Sequence, residues 1–133
     1  MASVSVRYIV DDVDRAIDFY TTHLGFEEVM HPAPTFAMLR RGELRFALSA
    51  PGEPGGGGAA MPDGSVPTPG GWNRIQIEVE DLDATVERLR AAGAHFRNDV
   101  VEGVGGRQVI VEDPAGNPIE LFQPTIEAAR LSS

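Results

Sequence analysis

A pattern that occurs twice constrains this chain more than anything else in it. Val4 to Gly25, VSVRYIVDDVDRAIDFYTTHLG, alternates apolar and polar residues, turns at a pair of aspartates and continues with helical spacing. Ile75 to Gly93, IQIEVEDLDATVERLRAAG, repeats this order, so that Val10-Asp11-Asp12-Val13-Asp14 matches Val79-Glu80-Asp81-Leu82-Asp83. A recurring strand-turn-helix unit implies two copies of one supersecondary module. A module of about 60 residues buries too little surface to be more than marginal by itself, so the two copies are expected to share a core.

The local reading follows from periodicity and punctuation. Val4, Val6, Tyr8 and Val10 alternate with Ser5, Arg7 and Ile9, which predicts a strand with one apolar face. Asp12 is an N-cap, Val13, Ala16, Ile17, Tyr20 and Leu24 form a helical stripe over 13–24, and Gly25 suits the C-cap. Strands are expected over 26–31, ended by Pro32 and Pro34, over 35–40, and over 44–49 after the Arg41-Gly42 turn. The second module should carry strands over 72–80, 94–98, 107–112 and 119–123, with Asp81 and Gly93 capping a helix whose stripe is Leu82, Val86 and Leu89. Gly103 to Gly106 reads as a mobile loop, and Asp113 to Pro118 as turn chemistry.

These elements divide the 133 residues into a first module (4–50), a Gly/Pro-rich linker (51–71), a second module (72–124) and a polar tail (125–133) expected to fray. The linker, PGEPGGGGAAMPDGSVPTPGG, cannot supply a core, and is expected to be flexible, with Met61 available to cover a pocket. The fold class is α+β, two tandem βαβββ modules.

Charge and composition remove whole classes of function. The chain has 20 acidic and 11 basic residues and a formal net charge of −9. Nucleic-acid affinity rests on phosphate neutralisation, so a nucleic-acid partner is not expected, whereas a cationic ligand is compatible with the charge. No apolar run reaches the ~18 residues of a membrane span, and the start MASVSVRYIV lacks the basic and long apolar regions of a secretory signal, so a cytoplasmic location is expected. Without cysteine there are no disulfides, no thiolate nucleophile and no thiolate metal ligand.

The repeated modules, the VxDxD strand-to-helix junctions, the DFY…LGF helix and the closing DPAGNPIELFQP together resemble the vicinal oxygen chelate superfamily, over residues 4–124. Its members include glyoxalase I, extradiol dioxygenases and the bleomycin-resistance proteins. The resemblance implies mixed sheets curled around a cleft with the helices outside. It also implies a homodimer. The family's enzymes place a divalent metal in that cleft, with a ligand from the first and the last strand of each module. The matching positions here are Ser5 and Ala47 in the first module and Arg74 and Glu120 in the second.

Of that set only Glu120 is a strong ligand. A catalytic metal needs about three. Arg74 stays protonated, repels a cation and is expected to form an ion pair with Glu120 in the metal's place. His23, His31 and His95 form no spaced pair and read as surface residues. No metal and no cofactor are therefore expected. Strand alternation assigns Ser5, Arg7, Ile9, Arg45, Ala47, Ser49, Trp72, Arg74, Gln76, Glu78, Glu120 and Phe122 to the faces away from the helices. An internal network of Arg7, Arg74, Glu78 and Glu120 is one expectation for the charged members. The expected ligand-binding set is Ser5, Arg7, Met38, Ala47, Trp72, Arg74, Glu120 and Phe122. Trp72 is placed either to stack on a planar or cationic small molecule or to plug the space under the linker.

The leading expectation is a metal-free protein that sequesters a drug-like natural product in a dimer cleft, as the bleomycin-resistance type does. The alternatives are a glyoxalase- or dioxygenase-type metalloenzyme, which would need a divalent metal and ligands not identified here, and a metal-free lyase or isomerase with Glu120 as general base and Arg74 stabilising an oxyanion.

Overall fold

The structure is a computed structural model and describes residues 4–52 and 56–127. The chain divides into two compact units, one of Met1–Gly70 with Pro114–Asn117, the other of Gly71–Asp113 with Pro118–Ser133. The architecture is α+β, one helix and one mixed sheet in each unit.

The first unit contains β1 (Ser5–Ile9), α1 (Val13–His23), β2 (Glu27–Ala33), β3 (Phe36–Arg41) and β4 (Leu44–Ser49). Its sheet has the order β1-β4-β3-β2, with β1 parallel to β4 and the other pairs antiparallel. The Asp12 side chain accepts from the backbone N–H of Arg15 at 3.0 Å, which satisfies one of the free donors of the first turn. Leu24 is the C-cap, and Gly25 takes φ +74° to leave the helix.

The buried helix face, Val13, Ala16, Phe19 and Tyr20, packs onto an aromatic cluster. Tyr20 meets Phe46 at 4.8 Å and Phe26 at 5.3 Å between ring centroids, and Tyr8 meets Phe46 at 4.9 Å, mostly edge to face. Such pairs add about 0.5–1.5 kcal/mol each to the burial term.

One sequence expectation fails here. Pro32 does not end β2, which continues to Ala33. The strand lies at the sheet edge, and its register against β3 is irregular between Met30 and Ala33, so the missing proline N–H disrupts nothing. The described residues of the linker make backbone hydrogen bonds. Gly52 N–H donates to Gly58 O at 2.6 Å, Met61 N–H to Ser65 O at 2.7 Å, and Gly70 N–H to Asn117 Oδ1 at 2.7 Å. Met61 itself is exposed.

The turn 114–117 lies in sequence between the last two strands of the second module but groups with the first unit. Asn117 is 4% exposed and donates through Nδ2 to Ile9 O at 2.7 Å, at the end of β1.

The second unit contains β5 (Ile75–Glu78), α2 (Leu82–Ala91), β6 (His95–Phe96), β7 (Val101–Glu102), β8 (Gly106–Glu112) and β9 (Pro118–Pro124). The sheet order is β5-β9-β8-β6, with β7 also paired to β8 and β5 parallel to β9. Asp81 caps α2 by accepting from Ala84 N–H at 3.0 Å, and Gln123 Oε1 accepts from Leu82 N–H at 2.8 Å. Leu82, Val86 and Leu89 are buried, as are Ile77, Val109, Val111, Ile119 and Leu121 on the strands.

The sequence predicts too long a first strand, because Trp72 and Arg74 precede β5. It also misses β7. The segment read as a mobile loop is the hairpin turn between β7 and β8, closed by Gly103 N–H on Gly106 O at 2.7 Å. Gly106 is required there, since a Cβ would collide with the backbone carbonyl of Gln123 on β9. Of the tail expected to fray, Thr125 donates to Gly105 O at 3.0 Å, and residues 128–133 lie outside the described residues.

Candidate functional site

Each sheet has one face against its helix and one face free of it. On the second sheet the register aligns Gln76 with Glu120 and Ile110, and Glu78 with Phe122 and Gln108, along the face opposite α2. Glu120 is the most buried charged group there, 8% exposed. Its Oε1 accepts from Arg74 Nη2 at 2.8 Å and Nε at 3.0 Å, and its Oε2 accepts from Gln76 Nε2 at 2.6 Å. Arg74 Nη1 donates to Trp72 O at 3.1 Å, which fixes the segment before β5. The expected Arg74–Glu120 pair is present, within one unit of one chain.

Trp72 is not a packing plug. It is 68% exposed, and one face of its ring lies under the Arg97 guanidinium at 4.6 Å from the centroid. Arg97 is fixed by Glu112 Oε2 at 2.7 Å and by Gly71 O at 2.6 Å. A continuous chain of contacts thus runs Glu112–Arg97–Trp72–Arg74–Glu120–Gln76. Arg97 and Glu112 were not foreseen, because both fall within predicted strands and nothing in the sequence joins partners so far apart. Phe122 sits on the same face, 9% exposed, with its ring against Gly106.

On the first sheet the register sets out three rows on the face opposite α1. They are Glu27, Arg40, Arg45 and Ser5, then Met30, Met38, Ala47 and Arg7, then Ala33, Phe36, Ser49 and Ile9. Ser5, Arg7, Met38 and Ala47 therefore do share a face, as expected. Met38 and Ala47 are nearly inaccessible, whereas Ser5, Arg7 and Arg45 are exposed. The Ser49 hydroxyl is buried without a hydrogen-bond partner among the described residues. Arg40 pairs with Glu27 at 3.0 Å, while Arg7 and Arg45 have no ion-pair partner among the described residues.

The residues at the family's metal-ligand positions do not suit a divalent cation. Ser5 and Ala47 offer one weak donor between them. Both oxygens of Glu120 are engaged, and a permanent cation touches one of them. Among the described residues no three His, Asp or Glu side chains are grouped to hold a metal ion. His31 Nε2 lies 3.7 Å from Asp14 on α1, with the side chain half-buried rather than on the open surface, and His95 is exposed. No described helix is long and apolar enough to cross a membrane.

Comparison with known proteins agrees with this architecture. Residues 3–121 match the Glyoxalase/Bleomycin resistance protein/Dioxygenase superfamily. No curated protein sequence matches the chain. Among solved structures, a member of that superfamily from Sphaerobacter thermophilus is 27% identical, with a TM-score of 0.72 over 92% of this chain and 97% of its own. An antibiotic binding protein from a Streptomyces species is 24% identical, with a TM-score of 0.70 over 94% and 97%. Lactoylglutathione lyase from Agrobacterium tumefaciens is 23% identical, with a TM-score of 0.69 over 92% of each chain. The last two identities bear on the fold alone.

Proposed function

Because the chain belongs to the glyoxalase/bleomycin resistance protein/dioxygenase superfamily, we propose that it is one of the superfamily's binding members, a metal-free protein that sequesters a drug-like natural product. The observation that carries this reading is the closure of Glu120 by Arg74 and Gln76. The position that supplies a metal ligand in the family's enzymes holds instead a satisfied carboxylate beside a guanidinium. Both Glu120 oxygens are engaged by Arg74 and Gln76, which argues against Glu120-dependent turnover.

Trp72 supports the same reading. Its exposed indole is the largest planar apolar surface beside Arg74, and it is anchored through its own carbonyl and through Arg97. A held aromatic ring offers a planar ligand contact area at small entropic cost. We further assign to binding Ser5, Arg7, Met38 and Ala47 on the first sheet and, separately, Phe122 on the second. We propose a cytoplasmic homodimer as the working form.

Two measurements on untagged protein test this. The first is metal content after purification in metal-supplemented medium. The second is titration of Trp72 fluorescence with bleomycin and with a panel of planar natural products. Saturable quenching without stoichiometric metal supports sequestration. Stoichiometric nickel, zinc, iron or manganese sinks it and favours a metalloenzyme. Sedimentation at micromolar concentration tests the dimer.

A further inference from the structure

The first sheet's helix-free face has a charge opposite to that of the whole chain. The protein carries a net charge of −9, yet this face presents Arg7, Arg40 and Arg45 against the single carboxylate of Glu27. Glu27 is already committed to Arg40, and among the described residues neither Arg7 nor Arg45 has an ion-pair partner. Arg7 stands opposite Ala47, one row from Ser49, and both side chains point to the same face.

Ser49 is the second, independent observation. It is 2% exposed and its hydroxyl has no partner among the described residues, an arrangement that is costly unless an acceptor or donor arrives to satisfy it. Above this end of the face the linker turns back. Gly58 is buried against the Ala50 carbonyl, Gly52 N–H donates to Gly58 O, and the Gly57 backbone lies directly on the Arg7 guanidinium. A Cβ at Gly57 would occupy the guanidinium's own position, so only backbone roofs the cation.

We propose that Arg7, with Ser49, forms an anion subsite, and that the ligand is a planar organic acid carrying one carboxylate, sulfonate or phosphate. The guanidinium supplies a fork of donors matched to such a group, and the hydroxyl supplies one more. This inference rests on the binding reading above and narrows it. The acidic net charge favours a cation, but the face itself favours an anion.

A matched pair of fluorescent probes tests it. Anilinonaphthalene sulfonate and phenylnaphthylamine share one ring system and differ by the sulfonate. The expected result is that the intact protein binds the sulfonate at least about tenfold more tightly, the worth of one charge-assisted hydrogen bond. Arg7→Gln should abolish that preference by weakening the sulfonate about tenfold more than the neutral probe. Arg7→Lys should retain part of it, and Ser49→Ala should weaken the sulfonate alone. Displacement by naphthoate and by naphthyl phosphate then ranks carboxylate against phosphate. Equal affinity for the two probes, or an Arg7→Gln variant that keeps the preference, overturns the subsite but leaves the binding reading standing. Failure of both probes to bind the intact protein overturns the subsite. If natural products also leave Trp72 fluorescence unchanged, the binding reading falls with it.

Discussion

Arg74 and Glu120 meet through a single carboxylate oxygen. Nε and Nη2 of the arginine converge on Oε1, and the other oxygen is left to Gln76. The side chains are 27% and 10% exposed, so most of the pair's hydration has been given up. Removing one partner strands the other, and Arg74→Met or Glu120→Leu should each cost about 2–4 kcal/mol. The double variant should cost less than the sum of the two, with a coupling of about 1–3 kcal/mol. Urea unfolding of the four proteins measures this cycle, and strict additivity would show that the pair contributes no mutual interaction.

Asn117 uses its amide in both directions, accepting from Gly70 N–H and donating to Ile9 O. Asn117→Ala should destabilise by about 1–3 kcal/mol, the cost of orphaning buried polar groups. Asn117→Asp should be at least as harmful, because a carboxylate cannot donate to the Ile9 carbonyl. An aspartate variant as stable as the parent in thermal unfolding would contradict this assignment.

Asp83 answers to pH through Arg107. Its carboxylate accepts from both terminal nitrogens of Arg107, at 2.9 and 3.1 Å. The hydrogen bond to Arg107 holds its pKa below the ordinary 3.8. The sign follows from linkage. The native state binds this proton less readily than the unfolded state, so the contribution is complete above pH 3.8 and disappears as pH falls through the lower native value. Carboxyl-resolved NMR titration should find Asp83 below 3.8 and restore it toward that value in Arg107→Gln.

Arg97 should control the mobility of Trp72. The indole is 68% exposed and one of its faces is held by the guanidinium. Arg97→Ala frees that face, so the fluorescence anisotropy of this lone tryptophan should fall while the far-ultraviolet circular dichroism stays unchanged. Unaltered anisotropy would mean that the ring is held by something else.

Much of the fold was legible because local chemistry and burial agree. Asp12 and Asp81 cap the helices where alternation gives way to helical spacing, and the alternation of Ser5 and Arg7 with Val6 and Tyr8 names the two faces of β1. The pairing of Arg74 with Glu120 was legible through the family resemblance, which places both at metal-ligand positions of the second module. What was hidden depends on neighbours remote in sequence. Pro32 reads as a strand breaker until β2 is known to be an edge. Gly103 to Gly106 reads as flexible until β9 is seen pressing on Gly106. The stack of Arg97 on Trp72 joins two bends, one before β5 and one after β6, where the sequence reading placed continuous strands.

The grouping of residues 114–117 with the first unit sets a limit on dissection. A cut after Gly70 falls in a segment without helix or strand, but it separates β1 from the asparagine that clasps its end. A fragment of residues 1–70 should therefore lack a structural part that only the other fragment carries. Expressed together, the two pieces should reassemble, since the second carries the asparagine that completes the first. Expressed apart, the first should be the less stable, despite containing its whole sheet.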